Sequence, residues 1–235
     1  MTTATLTARP VARVPRLWPG ETVVCLGGGS SLTAADAAFC RDKAHVIAVK
    51  EAGCCRIPGH VAPAPWADVL YAADEKYWRF VKGAPEFAGL KYSIQQDAFE
   101  ARLKNRLPTD WELGGWAMAW PDVQVLLDAG EDGLELDPTG LKTGNNSGYQ
   151  AINLAVHLGA AKIVLLGFDM WRDPSGHQNW FGPHPTHLES QFALFLHKFQ
   201  SIVEPLKAAG VTVLNASRFT ILNTFPRVVL EDVFA

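Results

Sequence analysis

Residues 22–40 read TVVCLGGGSSLTAADAAFC, an apolar run followed by a glycine–serine turn and an alanine-rich segment. A short, continuous apolar run that stops at a glycine cluster is typical of a strand buried in a parallel sheet. Thr33 is placed to cap a helix over the alanine-rich segment, and a second apolar run follows at residues 45–49. The pattern predicts a β-turn-α-β unit. We therefore expect an α/β, Rossmann-like domain with a mostly parallel central sheet and helices on both faces.

The rest of the chain continues this alternation of strand-sized and helix-sized segments. Further strands are predicted at 68–73, 91–94, 123–127, 162–166 and 211–214. Helical spacing of apolar residues predicts one helix that follows residues 143–148 and stops at Gly159, and a second, continuous helix over 188–206. Residues 95–142 are the least regular part, and the sequence assigns them no role.

Composition narrows the class of protein. With 235 residues, 48% of them hydrophobic and 19% charged, the chain can bury the core of one domain. We expect that domain over residues 21–235, after a flexible arm of residues 1–20 that is rich in arginine and proline. A formal net charge of −3 indicates no overall attraction to nucleic acid or anionic membranes, and no apolar run approaches the ~20 residues of a membrane span. The spacing of the four cysteines favours reduced thiols and a cytoplasmic location.

Small and polar residues gather where the predicted strands end. They are Gly27, Gly28, Gly29, Ser30 and Ser31 after the first strand, Asp74 after the third, Asn145, Asn146, Ser147 and Gly148 before the helix that stops at Gly159, and Asp169 after the strand at 162–166. Ligands of open parallel sheets bind outside the carboxyl ends of the strands. We therefore expect these residues to meet in one cleft.

Each cluster has a structural alternative to ligand binding. The glycine turn before a helix suits a phosphate group, or is a tight turn without a ligand. Residues 145–148 are suited to hydrogen bonds with ribose or base edges, or only cap the helix. Asp169 either orients a sugar hydroxyl or fixes the neighbouring loop, and Asp74 has the same alternatives plus a divalent metal beside phosphate.

Three histidines, His177, His184 and His187, lie in a proline-containing loop of eleven residues. Histidine titrates near neutral pH, so one of them is a candidate general base or acid. Phosphate contact, a metal site and ordinary packing of the loop are the alternatives, and no Cys or Glu completes a familiar zinc pattern.

Two segments carry a resemblance to a known superfamily: GGGSSL at residues 27–32 and SGYQAINLAVHLGAAKIVLLGFD at residues 147–169. They resemble the motifs of bacterial CMP-sialic-acid-dependent sialyltransferases, motility-accessory-factor glycosyltransferases and archaeal 6-hydroxymethylpterin diphosphokinases. The domain of the diphosphokinases also occurs in phage and bacterial proteins. The resemblance covers about a third of the chain, and its second motif is the more specific one.

The resemblance implies roles for the same clusters. By position, residues 27–31 and 145–148 would hold a nucleotide, Asp74 would lie near its phosphates or the acceptor, and a histidine of 177–187 would act as base. Ser30 stands where the superfamily has proline, so the first loop takes a different turn. Residues 72–76 read AADEK where the pterin kinases carry an acidic D-x-D-G motif, which speaks against their metal-dependent chemistry.

The sequence therefore predicts a nucleotide-sugar-dependent glycosyltransferase with a nucleotide or nucleotide-sugar as donor. The acceptor is open among a glycan, a small molecule, a protein and a nucleic acid, and a homo-oligomer is compatible with the sequence. One alternative is a diphosphokinase that needs Mg²⁺ and stacks a pterin-like ring on Trp171 or Trp180. Another is a non-catalytic nucleotide-binding accessory protein.

Overall fold

Eight strands form one sheet in the computed structural model, which describes residues 11–95, 117, 119–183 and 190–235. Every pair of neighbouring strands is parallel, and their order is β6-β5-β4-β3-β2-β1-β7-β8. The strands are β1 (Thr22–Leu26), β2 (His45–Val49), β3 (Val69–Tyr71), β4 (Leu90–Ile94), β5 (Val123–Asp128), β6 (Gly140–Leu141), β7 (Lys162–Leu166) and β8 (Thr212–Asn215). The prediction of a mostly parallel sheet is confirmed.

The chain reverses its direction of travel across the sheet beside β1. Strands β1 to β6 are added outward on one side, and β7 and β8 are then added on the other side. Leu26 pairs with Leu166, so the residues that follow β1 and β7 leave the sheet side by side. Such a switch point opens a crevice at the carboxyl ends of the strands, where ligands of this class of fold bind.

Helices cover both faces of the sheet. In the described residues they are α1 (Ala34–Cys40), α2 (Glu75–Phe80), α3 (Ser147–Leu158), α4 (Phe192–Gln200), α5 (Val203–Ala208) and α6 (Leu230–Val233), and a 3₁₀ turn lies at Lys50–Ala52. Val23 and Cys25 of β1 belong to one buried apolar cluster with α3, whereas Val24 and Leu26 belong to a second one with α1 and α2. Successive side chains of a strand point to opposite faces, so the two clusters are the two sides of the sheet. This arrangement also confirms the predicted helices on both faces.

The prediction of one continuous helix over 188–206 is wrong. The described part of that segment forms two helices that separate at Ser201 and Ile202. Pro205 explains the interruption, because it has no backbone N–H and its ring would clash with the carbonyl of Ser201 in an uninterrupted helix.

The second half of the expected flexible arm packs against the domain. Val14 and Trp18 are buried, with their backbone N–H groups donating to the carbonyls of Pro138 at 2.9 Å and Leu158 at 2.7 Å. Both side chains join the apolar cluster on the α3 face, and this burial offsets the entropy lost by ordering the segment. Residues 1–10 lie outside the described residues, and one domain over 21–235 stays a prediction.

Two predictions made from the sequence concern membrane spans and the state of the cysteines. In the part of the chain that the structure describes, no helix is both long and apolar enough to cross a bilayer. All four cysteines are free thiols, and Cys25, Cys40 and Cys54 are buried.

Candidate functional site

A cleft of about 330 Å³ lies at the carboxyl ends of β1, β2, β3 and β7. The residues that line it come from the turns after these strands, from α2, from the start of α3, from the loop after β7 and from α4 with the residue Ser190 before it. They are Gly27, Gly28, Gly29, Val49, Lys50, Glu51, Asp74, Lys76, Tyr77, Phe80, Asn145, Asn146, Ser147, Gly148, Gly167, Phe168, Asp169, Met170, Gln178, Asn179, Phe181, Ser190, Phe192 and Phe195. The glycine turn and the Asn–Ser turn, separated by more than a hundred residues, thus meet in one cleft as expected.

The three glycines of the turn after β1 differ in what surrounds them. A Cβ on Gly27 would lie 2.5 Å from the carbonyl oxygen of Gly167, and one on Gly29 would collide with the Asp169 carboxylate. A Cβ on Gly28 would meet only Asn179 Oδ1, at an ordinary 3.6 Å. Packing within the protein accounts for Gly27 and Gly29, whereas Gly28 keeps a bare backbone facing the cleft.

Asp169 fixes this turn from the end of β7. Its carboxylate accepts hydrogen bonds from Ser31 N at 2.7 Å, Ser31 Oγ at 2.6 Å and Ser30 Oγ at 3.4 Å. The side chain is buried, and this burial raises the pKa of the carboxyl against the opposing effect of the bonds from Ser31. Of the two interpretations of Asp169, the geometry supports the one in which it holds the neighbouring loop.

The Asn–Ser turn begins α3. Asn146 Oδ1 accepts hydrogen bonds from the backbone N–H of Gly148 at 2.7 Å and of Tyr149 at 3.1 Å, which makes it the N-cap of the helix. Asn145 has its Nδ2 within 3.3 Å of Glu131 Oε2. The positive end of the α3 dipole therefore points into the cleft, where it favours a negatively charged ligand.

A buried polar chain behind this turn connects α3 to the sheet. Tyr71 of β3 donates its hydroxyl to Gln150 Oε1 at 2.8 Å, and Gln150 Nε2 donates to the Thr143 carbonyl at 2.9 Å. Hydrogen bonds between fully buried groups are costly to break, so the start of α3 is held in a fixed place against β3.

The histidine-containing segment reaches the glycine turn through residues between its histidines. The backbone N–H of Trp180 donates to the Gly28 carbonyl at 3.1 Å, and Gln178, Asn179 and Phe181 line the cleft. His177 does not line it.

Of the three histidines predicted as candidates for the base, the structure describes His177. His177 Nδ1 instead lies 3.6 Å from Asp173 Oδ2, with 44% of the side chain exposed. His184 and His187 fall outside the described residues.

Lys50 is a cleft residue that the sequence reasoning missed. Its ammonium pairs with Asp74, the candidate residue after β3, and both side chains line the cleft. Burial opposes the charge on Lys50, but the contact with Asp74 outweighs burial and raises the pKa of the lysine. The position of Lys50 directly after β2 was the available signal, because the same rule had identified Asp74 after β3.

Three of the six non-glycine residues with a left-handed φ in the described part of the chain line the cleft. Lys50, Asn145 and Met170 have left-handed φ angles of 52°, 52° and 56°, and all three line it. This conformation costs about 1–2 kcal/mol for a residue other than glycine, and residues that keep it cluster at functional sites.

Comparisons with known proteins point to one kind of fold. No family model matches the sequence, and no curated protein matches it. The structure is similar to that of the MAf glycosyltransferase from Magnetospirillum magneticum AMB-1, with a TM-score of 0.58 and 11% identity. The alignment covers 94% of this chain but 35% of that one, so this chain spans about a third of the glycosyltransferase.

The second similar structure is the sialyltransferase CstII from Campylobacter jejuni, in complex with the substrate analogue cytidine-5'-monophosphate. Its TM-score is 0.50 at 12% identity, over 89% of this chain and 85% of that one. At these identities the likeness shows the fold, and it confirms at that level the resemblance to the sialyltransferase and motility-accessory-factor structures.

Proposed function

We propose that this chain is a glycosyltransferase that takes a nucleotide-activated sugar as donor and binds it in the cleft between β1 and β7. The observation that carries the proposal is the meeting of the bare Gly28 backbone with the start of α3 at the switch point of the sheet. Such a combination suits a phosphate group, because a residue without a side chain allows close approach and the start of a helix is positive.

The size and surroundings of the cleft support a nucleotide as the ligand. Its volume of about 330 Å³ falls within the range of small-molecule sites, roughly 300–1,000 Å³. Phe181, Phe192 and Phe195 add aromatic surface on which a base or sugar ring can stack. That the sialyltransferase of the same fold binds cytidine-5'-monophosphate agrees with this assignment.

The transfer step needs a base for the acceptor hydroxyl. In the proposed reaction, a histidine of the 177–187 segment takes the hydroxyl proton as the acceptor oxygen bonds to the anomeric carbon of the sugar. The bond from that carbon to the donor phosphate oxygen breaks, and the nucleotide leaves with the electron pair. The hydrogen bond from Trp180 N to the Gly28 carbonyl, together with the lining residues Gln178, Asn179 and Phe181, supports a base from this segment.

A donor screen tests the proposal. The protein is incubated with CMP-, UDP- and GDP-sugars without acceptor, and nucleotide release and thermal shift are measured. We expect one base class to raise the melting temperature and its sugar to be hydrolysed slowly, because water replaces the missing acceptor. The proposal fails if no nucleotide sugar or free nucleotide has an effect while ATP with Mg²⁺ is consumed, which is the result expected of a diphosphokinase.

A further inference from the structure

We propose that Lys50 is the cation that binds the donor phosphate, and that its ammonium exchanges the Asp74 carboxylate for the phosphate when the nucleotide enters. This inference rests on the proposed function and names the residue of the cleft that takes the charge of the leaving group. The motif reasoning considered the glycine turn, the Asn–Ser turn, Asp74 and the histidine loop near the nucleotide, but not Lys50.

The backbone of Lys50 is held in place by its neighbours. Its carbonyl oxygen lies 2.9 Å from the Tyr77 hydroxyl, 3.0 Å from Gly53 N and 3.1 Å from Cys54 N. Two backbone N–H donors, and a Tyr77 hydroxyl shared with the Cys54 carbonyl at 2.9 Å, restrain a residue whose φ is 52°, a strained value for lysine. A strained conformation persists only where its surroundings enforce it, so the direction of the Lys50 side chain is set by the fold.

Lys50 also lies close to the glycine turn. β1 and β2 are neighbours in the sheet, and Leu26 pairs with Ala48, two residues before Lys50. Lys50 therefore lies just beyond the end of β2, beside Gly27 and Gly28, on the side where the phosphate is expected. Its side chain is 25% exposed, so the ammonium acts in a partly desolvated place where electrostatic contacts are strong.

The charges around the cleft favour a cation next to the phosphate. Glu51, Asp74 and Asp169 line it, and the cations among the described lining residues are Lys50 and the exposed Lys76. A phosphate entering among three carboxyl groups is repelled unless a cation is close to it. Lys50 is the more enclosed of the two lysines and already lies inside.

Little free energy is needed for the Lys50 ammonium to leave Asp74 and bind the phosphate. The Asp74 side chain is 38% exposed, so water can solvate its carboxylate once the ammonium moves away. A phosphate in a nucleotide sugar carries one negative charge, like a carboxylate, but it offers several acceptor oxygens to the ammonium. When the bond to the sugar breaks, further charge develops on the phosphate, and a nearby ammonium stabilises it.

Calorimetry on the full chain tests the assignment. Dissociation constants are measured for CMP, UDP and GDP and for cytidine, uridine and guanosine, with Lys50→Gln compared to the wild type. We expect at least tenfold weaker nucleotide binding in the variant and unchanged nucleoside binding, because only the phosphate contact is lost. Lys207→Gln is the control, since Lys207 pairs with Glu204 on α5 outside the cleft and its loss should leave both affinities within twofold.

Two further variants keep the assignment falsifiable if Lys50→Gln does not fold. Lys50→Arg retains the charge and should bind nucleotide within about threefold of the wild type. Asp74→Asn removes the competing carboxylate, so we expect it to bind nucleotide at least as tightly as the wild type. Markedly weaker nucleotide binding by Asp74→Asn would contradict the exchange.

The outcomes separate this inference from the proposed function. If the wild type binds a nucleotide and Lys50→Gln binds it equally well, the assignment of Lys50 is overturned while the nucleotide site stands. If Lys50→Gln loses nucleotide and nucleoside in equal measure, Lys50 has a structural role and the assignment is again wrong. If the wild type binds none of the six compounds, the proposed function itself fails.

Discussion

Asp169 and Ser31 show how two distant residues build one side of the cleft. Their contact joins the end of β7 to the turn after β1 across 138 positions of the chain. Sequence position alone predicted Asp169 at the site, because it directly follows a strand. Whether it would face a ligand or a loop could not be predicted, since that depends on the three-dimensional distance to Ser31.

The neighbouring glycines Gly27 and Gly28 should respond differently to alanine. Gly27→Ala places a methyl group 2.5 Å from the Gly167 carbonyl, so we expect it to lower the free energy of unfolding by about 1–3 kcal/mol. Gly28→Ala meets no close atom and needs no left-handed φ, so stability should change by less than about 0.5 kcal/mol. Nucleotide affinity should nevertheless fall in Gly28→Ala. Urea unfolding and calorimetry measure the two effects, and equal affinity for wild type and Gly28→Ala would argue against a ligand at this backbone.

Single alanine variants test which of the three histidines acts as the base. His177→Ala should keep nucleotide-sugar hydrolysis within about twofold, because His177 lies beside Asp173 and does not line the cleft. His184→Ala or His187→Ala should lower the rate by about 10²–10⁴-fold if one of them is the base. Steady-state rates on the donor found in the screen provide the measurement. Full activity in all three variants would leave this segment without a base.

At the scale of elements, α3 was predictable and the break between α4 and α5 was not inferred. Polar residues at 143–148, apolar residues at helical spacing and Gly159 predicted α3 and its end, and the structure has Ser147–Leu158. The run over 188–206 has an equally regular apolar pattern, and the effect of Pro205 on the preceding turn was overlooked. Lys50 was missed because its left-handed φ and its pairing with Asp74 are set by neighbouring elements.

Variants of Asn146, the N-cap of α3, distinguish an effect on the stability of the fold from an effect on nucleotide binding. Asn146→Ala removes the acceptor for Gly148 N and Tyr149 N, so we expect a loss of about 1 kcal/mol in the free energy of unfolding. Asn146→Asp keeps both bonds and suits the helix dipole, so its stability should match the wild type. Its added negative charge at the cleft should weaken nucleotide binding. Thermal unfolding and calorimetry on both variants test this, and undiminished affinity in Asn146→Asp would count against a phosphate at the start of α3.

At the scale of the whole molecule, the sequence predicted the strands but not their order. Apolar runs reveal strands because each one is buried on both faces, whereas strand order depends on long-range pairing that no local pattern encodes. The short β6 was missed, since two residues give no periodic signal. The cleft exists because β7 lies beside β1. Its place was predicted without this strand order, because ligands of parallel sheets bind outside the carboxyl ends of the strands.

Buried thiols make the stability of the whole fold sensitive to alkali. Burial, helped by nearby carboxylates, raises the pKa of Cys40 and of Cys54 from an ordinary 9.0 to about 12. Above pH 9 the unfolded chain releases these protons while the folded chain retains them, so stability falls as pH rises toward 12. Each thiol contributes up to about 1.4 kcal/mol per pH unit.

The variant Cys40→Ala isolates this effect. The difference in free energy of unfolding between wild type and Cys40→Ala should shrink by about 1 kcal/mol from pH 8 to pH 10, because the variant lacks one of the retained protons. Urea unfolding at pH 8, 9 and 10 measures the difference. A gap that stays constant over this range would show that Cys40 titrates alike in both states.

A ligand-bound crystal structure tests the nucleotide cleft most directly. Crystals soaked with CMP, UDP, GDP and ATP in turn should show one nucleotide with its phosphate between Gly28 and the start of α3, in contact with Lys50. Nucleotide density on any other surface, or none from all four soaks at millimolar concentration, would contradict a nucleotide site at the carboxyl ends of β1 and β7.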